Sequence, residues 1–329
     1  MKFGCSLEMI NMRINEPGFK HKLSKSYWLE VFKYVSAVGF KGIELPYNPY
    51  SSDGIAFNML RSGMPISKYA INTKYESITS FLELLNHSGI EEVTSVHVNA
   101  NDSMLELLTS GQDPNKVFEK FEYAAEEAIE FLAEIGGKAL ILSPTPEIGL
   151  LDLTMGKGNS DWKPAFLSKT AQVLNKIGES AAQNGIQATI KNEFWSLVRG
   201  NEIDSLMEEL DSRLVQYSPD LAHLEIAYAD SVDTVTKYKD RLNFVHFSDT
   251  NFEDFENNYK KTNPELPIVG PQRVFCDLGD GKVNLPEVYK VLENSGYDGW
   301  VICESKKTLN VYRAFLKMRW YIDNVLIKS

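Results

Sequence analysis

The chain has 329 residues, 43% of them hydrophobic and 24% charged, a composition typical of a globular protein with a sizeable core. Its formal net charge of −11 argues against extended contact with nucleic acid or an anionic membrane surface, so small molecules are the expected partners. The three cysteines are widely spaced, which predicts a reduced, cytoplasmic protein. Glu8 interrupts the apolar run near the N-terminus, so no signal peptide is expected. The sequence has no apolar run long enough to predict a membrane span. Composition leaves homo-oligomerisation open.

A helical stretch, a glycine and a short β-rich segment recur along the chain, because glycine ends a helix at little cost. The first long helix has Ser26 as its expected N-cap, and a later one begins at Asp113 and Pro114. Eight strands are predicted, at residues 3–8, 40–45, 93–98, 138–143, 186–193, 214–220, 242–249 and 299–305. This alternation predicts an α/β protein, a single-domain (β/α)8 TIM barrel spanning residues 1–329.

An open, doubly wound sheet is the competing fold. A nucleotide-binding sheet of that kind would need a glycine-rich turn after its first strand, and FGCSLEMINMR contains none. Three connections, at 46–74, 144–162 and 250–284, are longer than a barrel requires and follow strands, so they belong to the active-site face. Glycines and polar residues at 154–162 suggest a mobile loop or lid there.

Polar side chains capable of binding a metal lie at or near the carboxyl ends of the last four predicted strands. They are Glu193, Asp220, His246 and Glu304. A single aspartate at a strand end is more often a helix cap, and a single strand histidine is more often part of the core. Four such residues on consecutive strands instead predict one divalent ion. Three carboxylates and an imidazole suit Mn²⁺ best, with Co²⁺, Mg²⁺ and Zn²⁺ also compatible.

Several segments resemble the xylose isomerase-like TIM barrels, in particular the sugar phosphate isomerase/epimerase group, which includes ketose 3-epimerases and inosose dehydratases. They are KGIEL at 41–45, NE at 192–193, DLAH at 220–223, VHFSD at 245–249, LGDGKVN at 278–284 and GWVICE at 299–304. The resemblance implies that the same four residues are metal ligands, and that Glu193 and Glu304 also act as acid and base. It further implies that His223, expected to begin the next loop and reach outward, contacts a substrate oxygen.

This chemistry is physically reasonable, because a proton next to a carbonyl becomes removable when a metal stabilises the enediolate. Two carboxylates on opposite faces can then remove and return the proton. We therefore expect a metal-dependent isomerase or epimerase acting on a ketose or related polyhydroxy ketone. An inosose-type dehydratase using the same metal site is one alternative, and a non-catalytic sugar-binding barrel is another.

Two features depart from a simple ketose epimerase. Phe252 stands where those enzymes carry an arginine, which implies a different far end of the substrate. Lys191 shares strand parity with Glu193, so it should point into the barrel. Beside a metal it would have a lowered pKa and could act as a base or orient a carboxylate or the substrate, although an ion pair at the barrel mouth is equally compatible.

Three further residues are candidates for substrate binding. His97 ends strand three and either lines the pocket or is a hydrogen-bonded core residue. Glu44 ends strand two and either binds substrate hydroxyls or caps the following segment. Trp195 could stack on a sugar face or pack at the rim of the barrel.

Overall fold

The computed structural model describes residues 1–10, 19–49, 64–156, 161–200, 202–253, 274–306 and 308–328. Eight parallel strands form one sheet in the order β6-β5-β4-β3-β2-β1-β8-β7. They are β1 Lys2–Ser6, β2 Gly42–Pro46, β3 Glu92–Asn99, β4 Ala139–Ser143, β5 Gln187–Lys191, β6 Val215–Ser218, β7 Phe244–Phe247 and β8 Trp300–Cys303. The predicted (β/α)8 barrel is confirmed.

The barrel closes between β6 and β7. Tyr217 bridges to Leu242 and Asp220 bridges to His246, both in the parallel sense. The amide of His246 also donates a hydrogen bond of 2.9 Å to the carbonyl of Pro219. The closing seam therefore places Asp220 beside His246.

Helices surround the strands. In chain order they are α1 Phe19–Lys22, α2 Lys25–Ala37, α3 Lys68–Tyr75, α4 Ile78–His87, α5 Ala100–Thr109, α6 Val117–Ile135, α7 Ile148–Leu151, α8 Trp162–Gln183, α9 Glu202–Glu209, α10 Leu221–Ile226, α11 Ser231–Tyr238, α12 Leu285–Asn294 and α13 Val311–Tyr321. Within the described residues, no helix is long and apolar enough to cross a membrane.

Two helix starts can be compared with the sequence prediction. Ser24, not Ser26, caps α2, because its hydroxyl accepts the amide hydrogen of Tyr27. Asp113 and Pro114 begin a 3-10 turn, Pro114–Lys116, that leads directly into α6. The predicted start at Asp113 is thus confirmed, with a tighter first turn than an α-helix has.

A small apolar cluster shows which strand residues face the barrel axis. Ile141 of β4 packs with Phe244 of β7 and Ile302 of β8, and β4 is far in the sheet from the neighbouring strands β7 and β8. Such contacts are only possible through the barrel interior. Since side chains alternate along a strand, His246 and Glu304, two residues after Phe244 and Ile302, also face inward at the mouth.

Strands β5 to β8 end earlier than the sequence predicts, at Lys191, Ser218, Phe247 and Cys303. The backbone leaves the sheet where side-chain hydrogen bonds replace those of the ladder. At β5, for example, the Asn192 carboxamide accepts the amide hydrogen of Asp220 and donates to its carbonyl. Glu193, Asp220 and Glu304 consequently lie just beyond the strands.

The long connections are described only in part, since residues 50–63, 157–160 and 254–273 lie outside the described ranges. The predicted lid at 154–162 therefore falls largely among residues that the structure does not describe.

The segment 278–284 is held at the end of β7 by one carboxylate. Asp249 accepts backbone amide hydrogens from Thr250, Gly279, Gly281 and Val283. A Cβ on Gly281 would lie 1.9 Å from Asp249 Oδ1, so only glycine fits there. We call this arrangement the Asp249 cage.

Candidate active site at the barrel mouth

Two carboxylates and two ammonium groups meet where β5, β6 and β8 end. Lys306 Nζ lies 3.0 Å from Asp220 Oδ2 and also bonds Glu304 Oε1. Lys191 Nζ lies 3.9 Å from an oxygen of each of the same carboxylates, Asp220 and Glu304. Lys191 and Asp220 have fully buried side chains, and Glu304 and Lys306 are almost as enclosed. The charges therefore interact in a medium where water screens little.

This cluster separates the proton affinities of its two acids. Burial disfavours the charged form of Asp220, but its electrostatic interactions with Lys306 first, and then with His223 and Lys191, outweigh burial and hold its pKa well below the usual range. For Glu304 burial dominates, and Lys306 and Lys191 offset it only in part, so its pKa is raised. Two neighbouring carboxyls with opposed shifts are a common arrangement in acid–base sites.

Lys191 points into the barrel, as its parity predicts. Burial works against its charge, yet the carboxylates of Glu304, Glu8 and Asp220 raise its pKa well above the usual value. The lowered pKa of Lys191 that the sequence predicts presupposes a metal beside its ammonium group. With carboxylates as its neighbours, Lys191 is instead a buried cation.

His246 is engaged on both sides of its ring. Ser218 Oγ lies 2.8 Å from Nδ1, and the two oxygens of Glu44 lie 3.1 Å from Nε2. Ser95 donates a further hydrogen bond of 2.8 Å to Glu44. Burial alone would raise the pKa of Glu44, but His246 and Lys191 lower it to about 2. Glu44 thus lies across the barrel from His246 as its ionised partner.

Glu193 has hydrogen-bond partners that differ from those of Asp220 and Glu304. Asn99 donates to its carboxylate at 3.1 and 3.3 Å, and the Trp195 indole N–H donates at 3.0 Å. Both donors are neutral, so they fix the direction of the carboxylate without neutralising its charge.

His223 is not in a loop and does not reach outward, contrary to the expectation from the sequence. It lies in α10 with its side chain fully buried, and its Nδ1 accepts the amide hydrogen of Phe194 at 3.0 Å. Its Nε2 lies 3.9 Å from Asp220 Oδ2. The turn of α10 therefore directs the imidazole back toward Asp220.

An aromatic wall stands beside His223. Phe194, Phe252 and Phe275 form a buried apolar cluster, and Trp195 packs edge-on against His223 with ring centroids 4.7 Å apart. Phe252 belongs to this wall, so an apolar surface replaces the charge that the resemblance implied at this position. Trp195 contributes both this ring contact and its hydrogen bond to Glu193.

Polar side chains at the ends of the first four strands form a hydrogen-bonded chain, separate from the cluster of Asp220 and Glu304. Glu8 Oε2 lies 2.8 Å from Nδ1 of His97, whose Nε2 lies 2.8 Å from Ser143 Oγ. Glu8 Oε2 is also 3.7 Å from Lys191 Nζ. Asp102, on the first turn of α5, has its pKa raised to about 7 by burial and the charge of Glu8, with His97 offsetting part of the effect.

Sequence reasoning missed Glu8, Asn99, Asp102 and Lys306. Glu8 could have been found by the rule applied to the later strands, since it ends the first predicted strand at 3–8. Lys306 follows Glu304 by two residues, which was a comparable signal. Asn99 and Asp102 carried no distinctive pattern.

The predicted metal ligands were tested by donor type and by arrangement. Asp220 Oδ2 is buried with no hydrogen bond, although Lys306 is close enough for an ion pair, and the donor set suits a hard divalent ion. Among the described residues, no three acidic, imidazole or thiol side chains are grouped as a metal site. Asp220 and Glu304 are brought together, while Glu193 and His246 have other partners. The donor types fit, and a metal there would take over charge that Lys306 now supplies.

Comparison with known proteins agrees with the fold. The family model for xylose isomerase-like TIM barrels matches residues 32–319. An inosose dehydratase from Bacillus velezensis is 28% identical over 214 residues, which cover 64% of this chain and 72% of that protein.

Two solved structures share the architecture at low sequence identity. An L-ribulose 3-epimerase superposes with a TM-score of 0.66 at 13% identity, covering 100% of this chain and 95% of that one. A xylose isomerase-like barrel from Mycobacterium smegmatis, solved with magnesium, gives a TM-score of 0.65 at 16% identity over 99% and 97% of the two chains. Since the family model covers most of the sequence, the chain belongs to the xylose isomerase-like TIM barrel family.

Proposed function

We propose that the protein removes a proton next to the carbonyl of a polyhydroxylated ketone and then expels the β-hydroxyl as water. The observation that supports this most is the buried cluster of Asp220, Glu304, Lys191 and Lys306 at the barrel mouth. Carboxylates can accept a carbon-bound proton, and adjacent ammonium groups can stabilise negative charge on oxygen. Both effects are strengthened where water is excluded.

Glu193 is suited to accept the proton. Its carboxylate is directed by Asn99 and Trp195, and neither donor is charged. The C–H electron pair becomes the C=C bond of the enolate, and the carbonyl oxygen takes the negative charge. When the enolate collapses, the bond from the β-carbon to its hydroxyl breaks. Glu304, whose raised pKa favours its protonated form, donates a proton to the departing hydroxyl, which leaves as water, and an α,β-unsaturated ketone remains.

A divalent ion, Mn²⁺ in the first instance, belongs to this proposal, with Glu193, Asp220, His246 and Glu304 as its ligands. When bound, it would supply Lewis-acid stabilisation of the enediolate charge. Its binding requires the ammonium of Lys306 to leave Asp220 and Glu304. The long, flexible side chain of lysine makes this a local rearrangement.

Dehydration is favoured over isomerisation by the similarity to inosose dehydratases, several of which match 59% to 64% of the chain. The aromatic wall around Phe252 adds a second argument, because it presents a carbon surface where an arginine would bind the far end of an open-chain ketose. Return of the proton from the other face, by Glu304, would give an epimer or isomer and is the second candidate.

The test is an incubation in D₂O with Mn²⁺ and a panel of ketoses and inososes, including 2-keto-myo-inositol, with chelated protein as control. Dehydration predicts loss of water by mass spectrometry and the absorbance of an unsaturated ketone. Deuterium in an epimer or isomer without loss of water would instead establish isomerisation. A protein that binds members of the panel without exchange or water loss would be a non-catalytic barrel, and the proposal would fail.

A further inference from the structure

Glu8 is the open end of an otherwise buried chain of polar groups. It lies on the 3-10 turn Leu7–Met9 that follows β1, where its side chain is 36% exposed. Its two partners are closed to solvent, with side-chain exposures of 1% for His97 and 0% for Lys191. A carboxylate held by two buried groups at the carboxyl end of a barrel strand is directed toward the mouth.

Lys191 supplies unused hydrogen-bond donors next to this carboxylate. Within the described part of the chain, its buried Nζ has no hydrogen-bond partner, and its nearest carboxylate oxygens are 3.7 to 3.9 Å away. Those distances permit ionic attraction but exceed a hydrogen bond. A buried ammonium without hydrogen bonds is costly, so the site favours an oxygen that accepts from it.

The separation of 3.7 Å between Glu8 Oε2 and Lys191 Nζ suits a hydroxyl group. One oxygen can lie about 2.8 Å from both atoms, donating its hydrogen to the carboxylate and accepting one from the ammonium. We propose that Glu8 and Lys191 form a binding subsite for one hydroxyl of a polyhydroxylated substrate, with Glu8 as a specificity-determining residue. This subsite deepens the proposed function and rests on it.

His97 and Ser143 support the subsite from behind. His97 bonds Glu8 through Nδ1 and Ser143 through Nε2, so the ring cannot turn without losing a buried hydrogen bond. Burial opposes the charge on Glu8, but His97 and Lys191 outweigh it and lower the pKa of Glu8 well below its usual value. Glu8 is therefore an ionised acceptor, suited to hydroxyl donors rather than to anions.

The experiment compares wild type with Glu8→Gln and Glu8→Asp, using 2-keto-myo-inositol and its monodeoxy analogues as probes. Glu30→Gln, an exposed glutamate on α2, is the matched control. Loss of a hydrogen bond to a charged group should raise KM about 10- to 100-fold in Glu8→Gln, with kcat little changed. Wild type should disfavour one deoxy analogue by a similar factor, and Glu8→Gln should no longer distinguish it. Glu8→Asp keeps the charge for folding but shortens the reach, so its KM should rise as well.

The result that overturns the subsite is an unchanged KM and an unchanged preference among the deoxy analogues in both folded Glu8 variants. If wild type turns over no ketone, the proposed function fails, and the subsite is then tested by binding of myo-inositol in saturation-transfer NMR. Binding by wild type and Glu30→Gln, but not by Glu8→Gln, would support the subsite. Equal binding by all three, or by none, would exclude it.

Discussion

The ends of β5 to β8 and the ends of β1 to β4 contribute different groups to the barrel mouth. The later strands carry Asp220 and Glu304 with two ammonium groups against them. The earlier strands carry residues that hold partners across the barrel, as Glu44 holds His246 and Asn99 holds Glu193. The comparison indicates that one half of the mouth supplies reactive groups and the other fixes their directions, so a site description based on the later strands alone is incomplete.

The largest effect should come from the proton-transferring carboxylates. Glu193→Gln and Glu304→Gln should each lower the rate of deuterium exchange or dehydration by about 100- to 10,000-fold, since each removes a general acid–base group. Glu293→Gln, on the outer face of α12, is the control and should leave the rate unchanged. Full activity in either site variant, with the fold verified by circular dichroism, would remove that glutamate from the mechanism.

The next largest effect should distinguish the roles of His246 and His223, the two histidines near Asp220. His246→Ala should weaken Mn²⁺ binding by more than the 10- to 100-fold that is typical of residues behind a ligand, because it removes a proposed ligand. His223→Ala should retain the metal and change KM or kcat, because its imidazole already bonds the Phe194 amide. Calorimetric titration of the chelated variants with Mn²⁺ measures metal binding, and steady-state kinetics measure KM and kcat. An empty site in His223→Ala, with metal retained in His246→Ala, would reverse these roles.

The smallest effect concerns Asp102, on the side of the earlier strands. Its pKa is raised from 3.8 to about 7 in the folded protein, by burial and then by Glu8. The folded state therefore binds the proton more tightly than the unfolded state, and stability falls as the pH rises through this window. Asp102→Asn lacks this loss, so its free energy of unfolding relative to that of wild type should rise by about 2–3 kcal/mol between pH 5 and pH 8.

Urea denaturation at both pH values measures that difference. Asp113→Asn, at an exposed turn, is the control and should show no such pH dependence. A difference for Asp102→Asn that is constant with pH would mean that the carboxyl is ionised in the folded state throughout.

The fold was predictable because each of its signals is local. Glycine after a helix, a short β-rich segment and apolar spacing are all readable within about a dozen residues, and the eight strands were found in this way. The exact strand ends were not, since they depend on side chains such as Asn192, whose hydrogen bonds to Asp220 come from the neighbouring strand.

The candidate site was predictable in part for the same reason. Glu193, Asp220, His246 and Glu304 stand at strand ends in the sequence, and parity indicated that Lys191 faces inward. Glu8 and Lys306 stand near strand ends as well, but the pairing of Glu8 with Lys191 depends on a contact across a closed barrel. Glu8 meets Lys191 from the opposite side of the mouth, although the two are far apart in the chain. No local pattern encodes such a pairing.

The Asp249 cage has a consequence for how the family could diversify here. Four amide hydrogens bind one carboxylate, and Lys282 N–H also bonds the carbonyl of Thr250, so the chain is fixed on both sides of residues 254–273. Closing a loop whose ends are already anchored costs only slightly more free energy as the loop lengthens. Insertions and deletions between these two anchored ends could therefore accumulate without disturbing β7, which makes that stretch of the sequence a natural position for grafting a new segment.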